Sequence, residues 1–255
     1  MEKKFSLLVL ILLVCISIVA QKPQVIAHRG FWQAEGAVQN SITALEYADS
    51  VNVYGSEFDV HMTEDGVLVI FHDNKVNEIE IQHVPYSIIK DIALLNGERI
   101  PTLREYLEAA KRTDIKLIFE LKPHSTPERN REAARASVEL VREKRLQHRT
   151  EYITFNLDAG KELIKLVPDA DVYYLNGDLS PQELKELGFA GLDYHFNVLK
   201  QKNQWIKEAK ELGLAINVWT VNDPALIQEM VDLGVDFITT DIPVDVMKFI
   251  STMDE

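Results

Sequence analysis

Cysteine is nearly absent. The single one, Cys15, lies inside the apolar run at the start of a 255-residue chain. One cysteine rules out a disulfide framework, and the rest of the chain has no thiol to ligate a metal or act as a nucleophile. Clusters of Lys and Arg are also lacking. Against 40 acidic residues there are only 27 basic ones, a formal charge of −13. No basic face is there to neutralise phosphates along a duplex, which excludes a nucleic-acid partner. Beyond residue 21 there is no Pro/Gly/Ser-rich linker, low-complexity tract or repeat to mark a domain boundary. Apolar residues are plentiful: 46% of the chain is hydrophobic and 8% aromatic, enough for a buried core.

Residues 1–20 read as an export signal. Lys3 and Lys4 precede an apolar stretch from Phe5 to Ala20 interrupted only by Ser6 and Ser17. This is shorter than the roughly 20 residues of a bilayer span and ends on a small residue, Ala20, ahead of Gln21. Cleavage there removes two Lys and one Glu and leaves a mature chain of charge −14 over residues 21–255, expected to be a single exported domain, periplasmic or secreted. Leu12-Leu13-Val14-Cys15 loosely resembles a lipobox. Bulky Val14 before the cysteine makes lipid anchoring the lesser expectation, and an uncleaved anchor the least.

The mature chain alternates short β-branched apolar runs with helical patterns. Strands are expected at Val25–His28, Ser56–Val60, Leu68–His72, Lys116–Leu121, Tyr152–Asn156, Asp171–Leu175, Gly191–His195, Ala215–Val221 and Phe237–Thr240. Helix ends are marked by the capping box Thr102/Glu105, by Ser180-Pro181 with Glu183 and the stop Gly188, and by Asp223-Pro224 with Gly234. Such alternation predicts an α/β fold, a single (β/α)8 TIM barrel, with a doubly wound open sheet as the alternative. Nine strand-like segments exceed the eight places. The link Met62–Gly66 is too short for a helical crossover, so an irregular region or hairpin arm is expected around the second and third strands.

On a barrel, chemistry gathers at the C-terminal strand ends, and these are polar here. The first ends in His28-Arg29-Gly30, the second carries Glu57 and Asp59, the third ends in His72-Asp73, and the fourth carries Glu120 and Lys122. Residues two apart on a strand share a face, so Glu57 and Asp59 point together, as do Glu120 and Lys122. Taken alone, Glu57-Phe58-Asp59 reads as an edge strand with a solvated face. In company with Glu120 it becomes an all-oxygen set suited to a hard divalent cation, Mg²⁺ or Ca²⁺. Two histidines on different strands suit a reaction that takes one proton and gives another. Arg29 and Lys122 add local positive charge for an anion such as a phosphoryl group.

These residues resemble the glycerophosphodiester phosphodiesterase family. The likeness runs through Ala27-His28-Arg29-Gly30, Asn40-Ser41, Glu57-Phe58-Asp59-Val60, Thr63-Glu64-Asp65-Gly66 and Val69-Ile70-Phe71-His72-Asp73. It continues in Ile100-Pro101-Thr102-Leu103, Glu120-Leu121-Lys122-Pro123, Val218-Trp219-Thr220-Val221-Asn222 and Thr240-Asp241-Ile242-Pro243. The resemblance implies a barrel, a divalent metal on Glu57, Asp59 and Glu120, and His28 and His72 as the acid/base pair. It further implies Arg29 and Lys122 on the phosphate, and hydrolysis of small-molecule glycerophosphodiesters to glycerol phosphate and an alcohol. No stable protein partner is implied. Gln39 departs from the pattern, because the family usually shows Pro-Glu-Asn-Thr here and so a carboxylate at this position. It is given no metal role, while Glu35 is the candidate to compensate.

Weaker readings follow for the remaining polar and aromatic residues. Trp219 is expected to wall the alcohol side of the pocket or to pack in the barrel, Asn40 to cap a helix before serving the site, and Tyr194 and His195 to reach the substrate. His61, His83, His124 and His148 match no motif and are expected on loops or the surface. In the resembled family an insertion at Asn74–Gly97 shapes the substrate entrance. Alternative activities are a lyase-type phospholipase that stops at a cyclic phosphate, and a non-catalytic binding protein.

Overall fold

Alternation of buried β-branched runs with capped helices builds the chain. The computed structural model describes residues 22–254; the expected export segment 1–20, with Cys15, lies outside the described residues. The elements run β1 (Gln24–Ala27), α1 (Ile42–Ser50), β2 (Gly55–Met62), β3 (Leu68–Ile70), the short β4 (Lys75–Val76) and β5 (Ile79–Glu80), α2 (Leu103–Ala110) and β6 (Lys116–Leu121). Then follow α3 (Pro127–Lys144), β7 (Thr150–Thr154), α4 (Leu157–Leu166), β8 (Val172–Tyr174), α5 (Pro181–Leu187), β9 (Gly191–His195) and α6 (Phe196–Gln201). The chain closes with α7 (Gln204–Glu211), β10 (Ala215–Trp219), α8 (Pro224–Leu233), β11 (Phe237–Thr240) and α9 (Pro243–Ser251).

Eight of these strands pair in parallel in the order β1, β11, β10, β9, β8, β7, β6, β2. β1 then meets β2 through Ile26↔Gly55 and Ala27↔Ser56 and closes the cylinder. Closure rejects the open doubly wound sheet, and the fold is the (β/α)8 barrel. The surplus ninth segment is β3, which turns back on β2 as an antiparallel arm with Val60↔Ile70 and Met62↔Leu68 in register. It ends at Ile70, two residues short of His72.

Strand parity divides the core. Side chains such as Phe58, Phe119, Tyr152 and Tyr194 face outward into the large layer under the helices, while Ile26, Ile118, Ile153, Tyr173 and Leu175 fill the barrel interior. Helix ends obey the local signals. Thr102 and Ser180 form reciprocal capping boxes with Glu105 and Glu183, and Asp223 caps α8. The insertion after His72 has a satellite core of its own, centred on Val69, Val76, Ile81, Ile89 and Ile100.

Candidate active site

Parity also explains why polar residues meet at the mouth. Glu57 and Asp59 on β2 and Glu120 on β6 face inward like Ile118, and Asp59 lies directly beside Glu120 across the ladder. Their exposures are only 2%, 1% and 7%. Each presents an oxygen within 4.8 Å of the others. Lys122, one step further along the same face, places Nζ 2.7 Å from Glu120 and 3.1 Å from Asp59.

The turn after β1 supplies the other cation. Arg29 adopts a left-handed backbone, φ 56°, an uncommon conformation for a side-chain-bearing residue that aims its N–H at Glu57, 2.7 Å away. Gly30 follows at φ 78°, where a Cβ would sit 2.7 Å from Ala44 Cβ and 2.8 Å from the Ala44 carbonyl carbon, so only glycine lets the turn lie on α1. The Arg29 Nε lies 3.8 Å from Asp59, and its Nη1 donates to Gln39 at 2.7 Å. Gln39 therefore holds the guanidinium and stands outside the carboxylate triad. Glu35 is exposed and is not among the carboxylates the fold gathers, so it does not replace the missing acid.

His28 is held through Nδ1, 2.8 Å from Asp241, which follows β11. The same carboxylate accepts from Trp32 at 3.1 Å and Asn222 at 2.7 Å. Burial pushes the Asp241 carboxyl up, but the bonds from His28, Asn222 and Trp32 outweigh it and hold the group at about 2. An ionised Asp241 fixes the proton on Nδ1 and leaves Nε2 for the pocket. His72 arrives by another route. Since β3 runs back down β2, Phe71 donates its N–H to the Asp59 carbonyl at 3.1 Å, and His72 lands beside the carboxylates. Burial lowers the pKa of its imidazole, with Asp59 opposing and Lys122 and Arg29 reinforcing.

The triad is electrostatically unbalanced by itself. Burial, then repulsion from Asp59 and Glu120, raises Glu57 well above the usual carboxylate range. Burial and Asp59 push Glu120 up to about 7. Asp59 is also opposed by burial, but Lys122 and its other partners win and keep it low. Glu57 Oε1 is buried with no hydrogen-bond partner. Three converging oxygen donors, one of them orphaned and two reluctant to ionise, are the set a hard divalent cation would complete.

Several expectations need correction. Asn40 does not cap α1; Ser41 does, from an extended backbone, accepting from Ala44. Asn40 sits at φ 63° and uses both amide atoms on Asp59, donating to Oδ2 at 2.8 Å and accepting from its N–H at 3.1 Å. Tyr194 points away from the pocket, its hydroxyl donating to the Leu179 carbonyl at 2.8 Å. His195 stays at the mouth with its ring 5.1 Å from Trp219. Trp219 packs on the interior cluster, donates its N–H to the Asp193 carbonyl at 2.9 Å and meets Phe155 edge-on.

His61 and His124 are buried, not surface residues, whereas His83 and His148 are exposed. His61 lies between the His72 carbonyl at 3.3 Å and the Gln82 amide at 3.0 Å, and Gln82 also donates to Pro123 at 2.9 Å. The Gln82 amide spends one hydrogen on each partner. His61 thus accepts at Nδ1 and donates Nε2–H to the His72 backbone, bracing the segment that carries His72. The sequence gives no role to Asp241 or His61, although Thr240-Asp241-Ile242-Pro243 places Asp241 at a strand end; for Asn40 it is the secondary expectation, service at the site, that the contacts to Asp59 match.

Deeper in the barrel, Asp193 on β9 faces Asn217 on β10. Burial pushes its carboxyl up to about 8, partly offset by Asn217 and reinforced by Glu120. A folded value above the unfolded 3.8 means stability is present below 3.8 and is lost as pH rises toward about 8. Asp193→Asn, neutral at every pH, should match the wild type in Tm near the lower value. It should then gain several degrees as pH approaches the upper one, read by thermal scans across that range.

Comparison with known proteins gives the fold and the family. The chain is similar, with 55% identity and a TM-score of 0.91, to the crystal structure of a glycerophosphodiester phosphodiesterase from Parabacteroides distasonis, over 92% of this chain and 99% of that one. It is similar, at 27% identity and a TM-score of 0.78, to an Oleispira antarctica phosphodiesterase solved in complex with the product sn-glycerol-3-phosphate, over 90% of this chain and 97% of that one. A glycerophosphodiester phosphodiesterase of Caldanaerobacter subterraneus is 27% identical over 241 residues, 87% of this chain and 95% of its own length. The family pattern itself matches residues 28–245, from His28 after β1 through the start of the last helix, and on this the chain belongs to the glycerophosphoryl diester phosphodiesterase family.

Proposed function

We propose that the protein hydrolyses glycerophosphodiesters to glycerol 3-phosphate and an alcohol in a reaction dependent on a divalent cation. The observation that carries this is the buried triad with its orphaned Glu57 oxygen, flanked by two cationic side chains and two histidines. Glu57, Asp59 and Glu120 would hold Mg²⁺ or Ca²⁺, which supplies Lewis-acid neutralisation of phosphoryl charge when bound. Arg29, tethered by Gln39, presents its guanidinium to the phosphate, and Lys122 adds a point charge beside it. His28, its tautomer set by Asp241, and His72, on its braced loop, stand as the pair that takes a proton from the attacking hydroxyl and gives one to the leaving alcohol. A product complex in the Oleispira relative supports glycerol 3-phosphate as the product.

The test is glycerol 3-phosphate release from glycerophosphocholine and glycerophosphoethanolamine, with EDTA and with Mg²⁺ or Ca²⁺ restored. Release abolished by EDTA and recovered with metal is the expected result. A stable cyclic phosphate in the phosphorus NMR spectrum would place the enzyme with the lyase-type phospholipases instead. Tight binding without turnover under any metal would make it a binding protein.

A further inference from the structure

An apolar groove of about 840 Å³ opens beside the reacting centre, between the β1–α1 loop and the insertion after His72. Ten of its thirteen lining side chains are apolar and none is charged, in a chain where charged residues are 26% of the total. Other surface depressions differ: one on α3, for example, is lined by Glu128, Arg131, Glu132, Arg135 and Glu139. The two walls are tied together. Asn96 donates to the Gly36 carbonyl at 3.1 Å, and Glu98 accepts from the Ile42 N–H at 3.0 Å. The far wall, with Ile92 and Leu94, belongs to the satellite core. The groove is therefore built rather than incidental, and its volume falls in the usual range of ligand sites, roughly 300–1,000 Å³.

Three lining residues also touch the catalytic apparatus. Gln39 takes the Arg29 guanidinium, Trp32 donates to the carboxylate that holds His28, and Phe71 precedes His72 and bonds to Asp59 through its backbone. A ligand with its phosphate at Arg29 has the groove alongside. A chainless glycerophosphodiester is polar at both ends and would leave these walls wet. We propose that the groove takes a hydrocarbon chain of the substrate, so that the enzyme also accepts glycerophosphodiesters that still carry one acyl chain. This rests on the phosphodiesterase reading above. The reaction is the same net hydrolysis: the P–O bond to the headgroup alcohol breaks, oxygen from water ends on phosphorus, and the alcohol leaves with a proton. The product is an acylglycerol phosphate.

The test compares kcat/KM for glycerophosphocholine with that for its 1-acyl derivatives of increasing length, from butanoyl to decanoyl, below their aggregation thresholds. Each methylene that is fully buried is worth about fourfold, so a rise of well over tenfold along the series is expected. Leu95, fully exposed at the rim, and exposed Ala93 can be changed without disturbing the fold. Leu95→Asp with Ala93→Asp should erase the chain-length gain and leave glycerophosphocholine turnover unchanged. Binding of dodecylphosphocholine against phosphocholine, followed by tryptophan fluorescence, reads the groove without catalysis and should show the same dependence on chain and variant. Turnover of glycerophosphocholine with no chain-length gain overturns the proposal and leaves the phosphodiesterase reading intact. Absence of turnover on every diester, with chain-dependent binding kept, overturns the phosphodiesterase reading and with it the turnover of acylated substrates, and leaves only the groove's hold on the chain. A dimer in sedimentation that Leu95→Asp dissolves, without any chain-length gain, assigns the groove to a second copy and also overturns it.

Discussion

His28→Ala should lower kcat by about 10²–10⁴-fold, the range a positioned general acid or base contributes. The fold should survive, because His28 sits on a turn after β1 at the barrel mouth and its side chain is still 17% exposed. Far-UV circular dichroism and a thermal scan check that part. Asp241→Asn is the sharper companion. It keeps the shape and, with its oxygen in the Oδ1 place, the acceptor for His28 and Trp32, but gives up the Oδ2 acceptor of Asn222 and removes the charge that fixes the His28 proton on Nδ1. A loss of about tenfold to a hundredfold in kcat with KM little changed is expected, since such orienting carboxylates act through the histidine and not on the substrate. Near-normal kcat in His28→Ala would remove His28 from the acid/base pair, and an Asp241→Asn loss confined to KM would make Asp241 a substrate contact.

Metal should stabilise the folded protein, and more so at higher pH. In the metal-free protein Glu57 and Glu120 keep their protons where the unfolded chain has released them. For Glu120 the window runs from 4.5, the unfolded value, to about 7. Raised folded values mean that stability is present below the window and is lost as pH rises through it. A bound divalent cation repays that loss by accepting the ionised triad. At a hundred times Kd it contributes about 2.7 kcal/mol, which for a domain this size is about 5–10 °C in Tm. The gain on adding Mg²⁺ or Ca²⁺ to EDTA-treated protein should therefore be small below the window and largest above it. Glu57→Gln relieves the repulsion, so it should raise the metal-free Tm, abolish the metal-dependent gain and abolish turnover. An equal metal shift in wild type and Glu57→Gln would place the cation elsewhere.

Much of this was legible in the residues alone. Strand–helix alternation with capped ends specified the barrel, because parallel strands buried on both faces need crossover helices and each helix announces its start and stop. Polar residues at strand ends specified the triad, the two histidines and the two cations, because the period of two places Glu57 with Asp59, and Glu120 with Lys122, on one face. Tertiary structure alone decided how His72 reaches them. The short Met62–Gly66 link already excluded a crossover and suggested a hairpin arm or an irregular region, but which segment leaves the barrel and what it pairs with are non-local, and the fold lays β3 antiparallel on β2. The same holds for Asn40, whose sequence context reads as a cap while its left-handed backbone turns the amide onto Asp59. It holds for Asp241 and His61, which contact His28 and the His72 backbone from 213 and 11 positions away in the chain. Local propensity and periodicity say which face a side chain takes on its own element; which distant group meets that face is settled only when the cylinder closes.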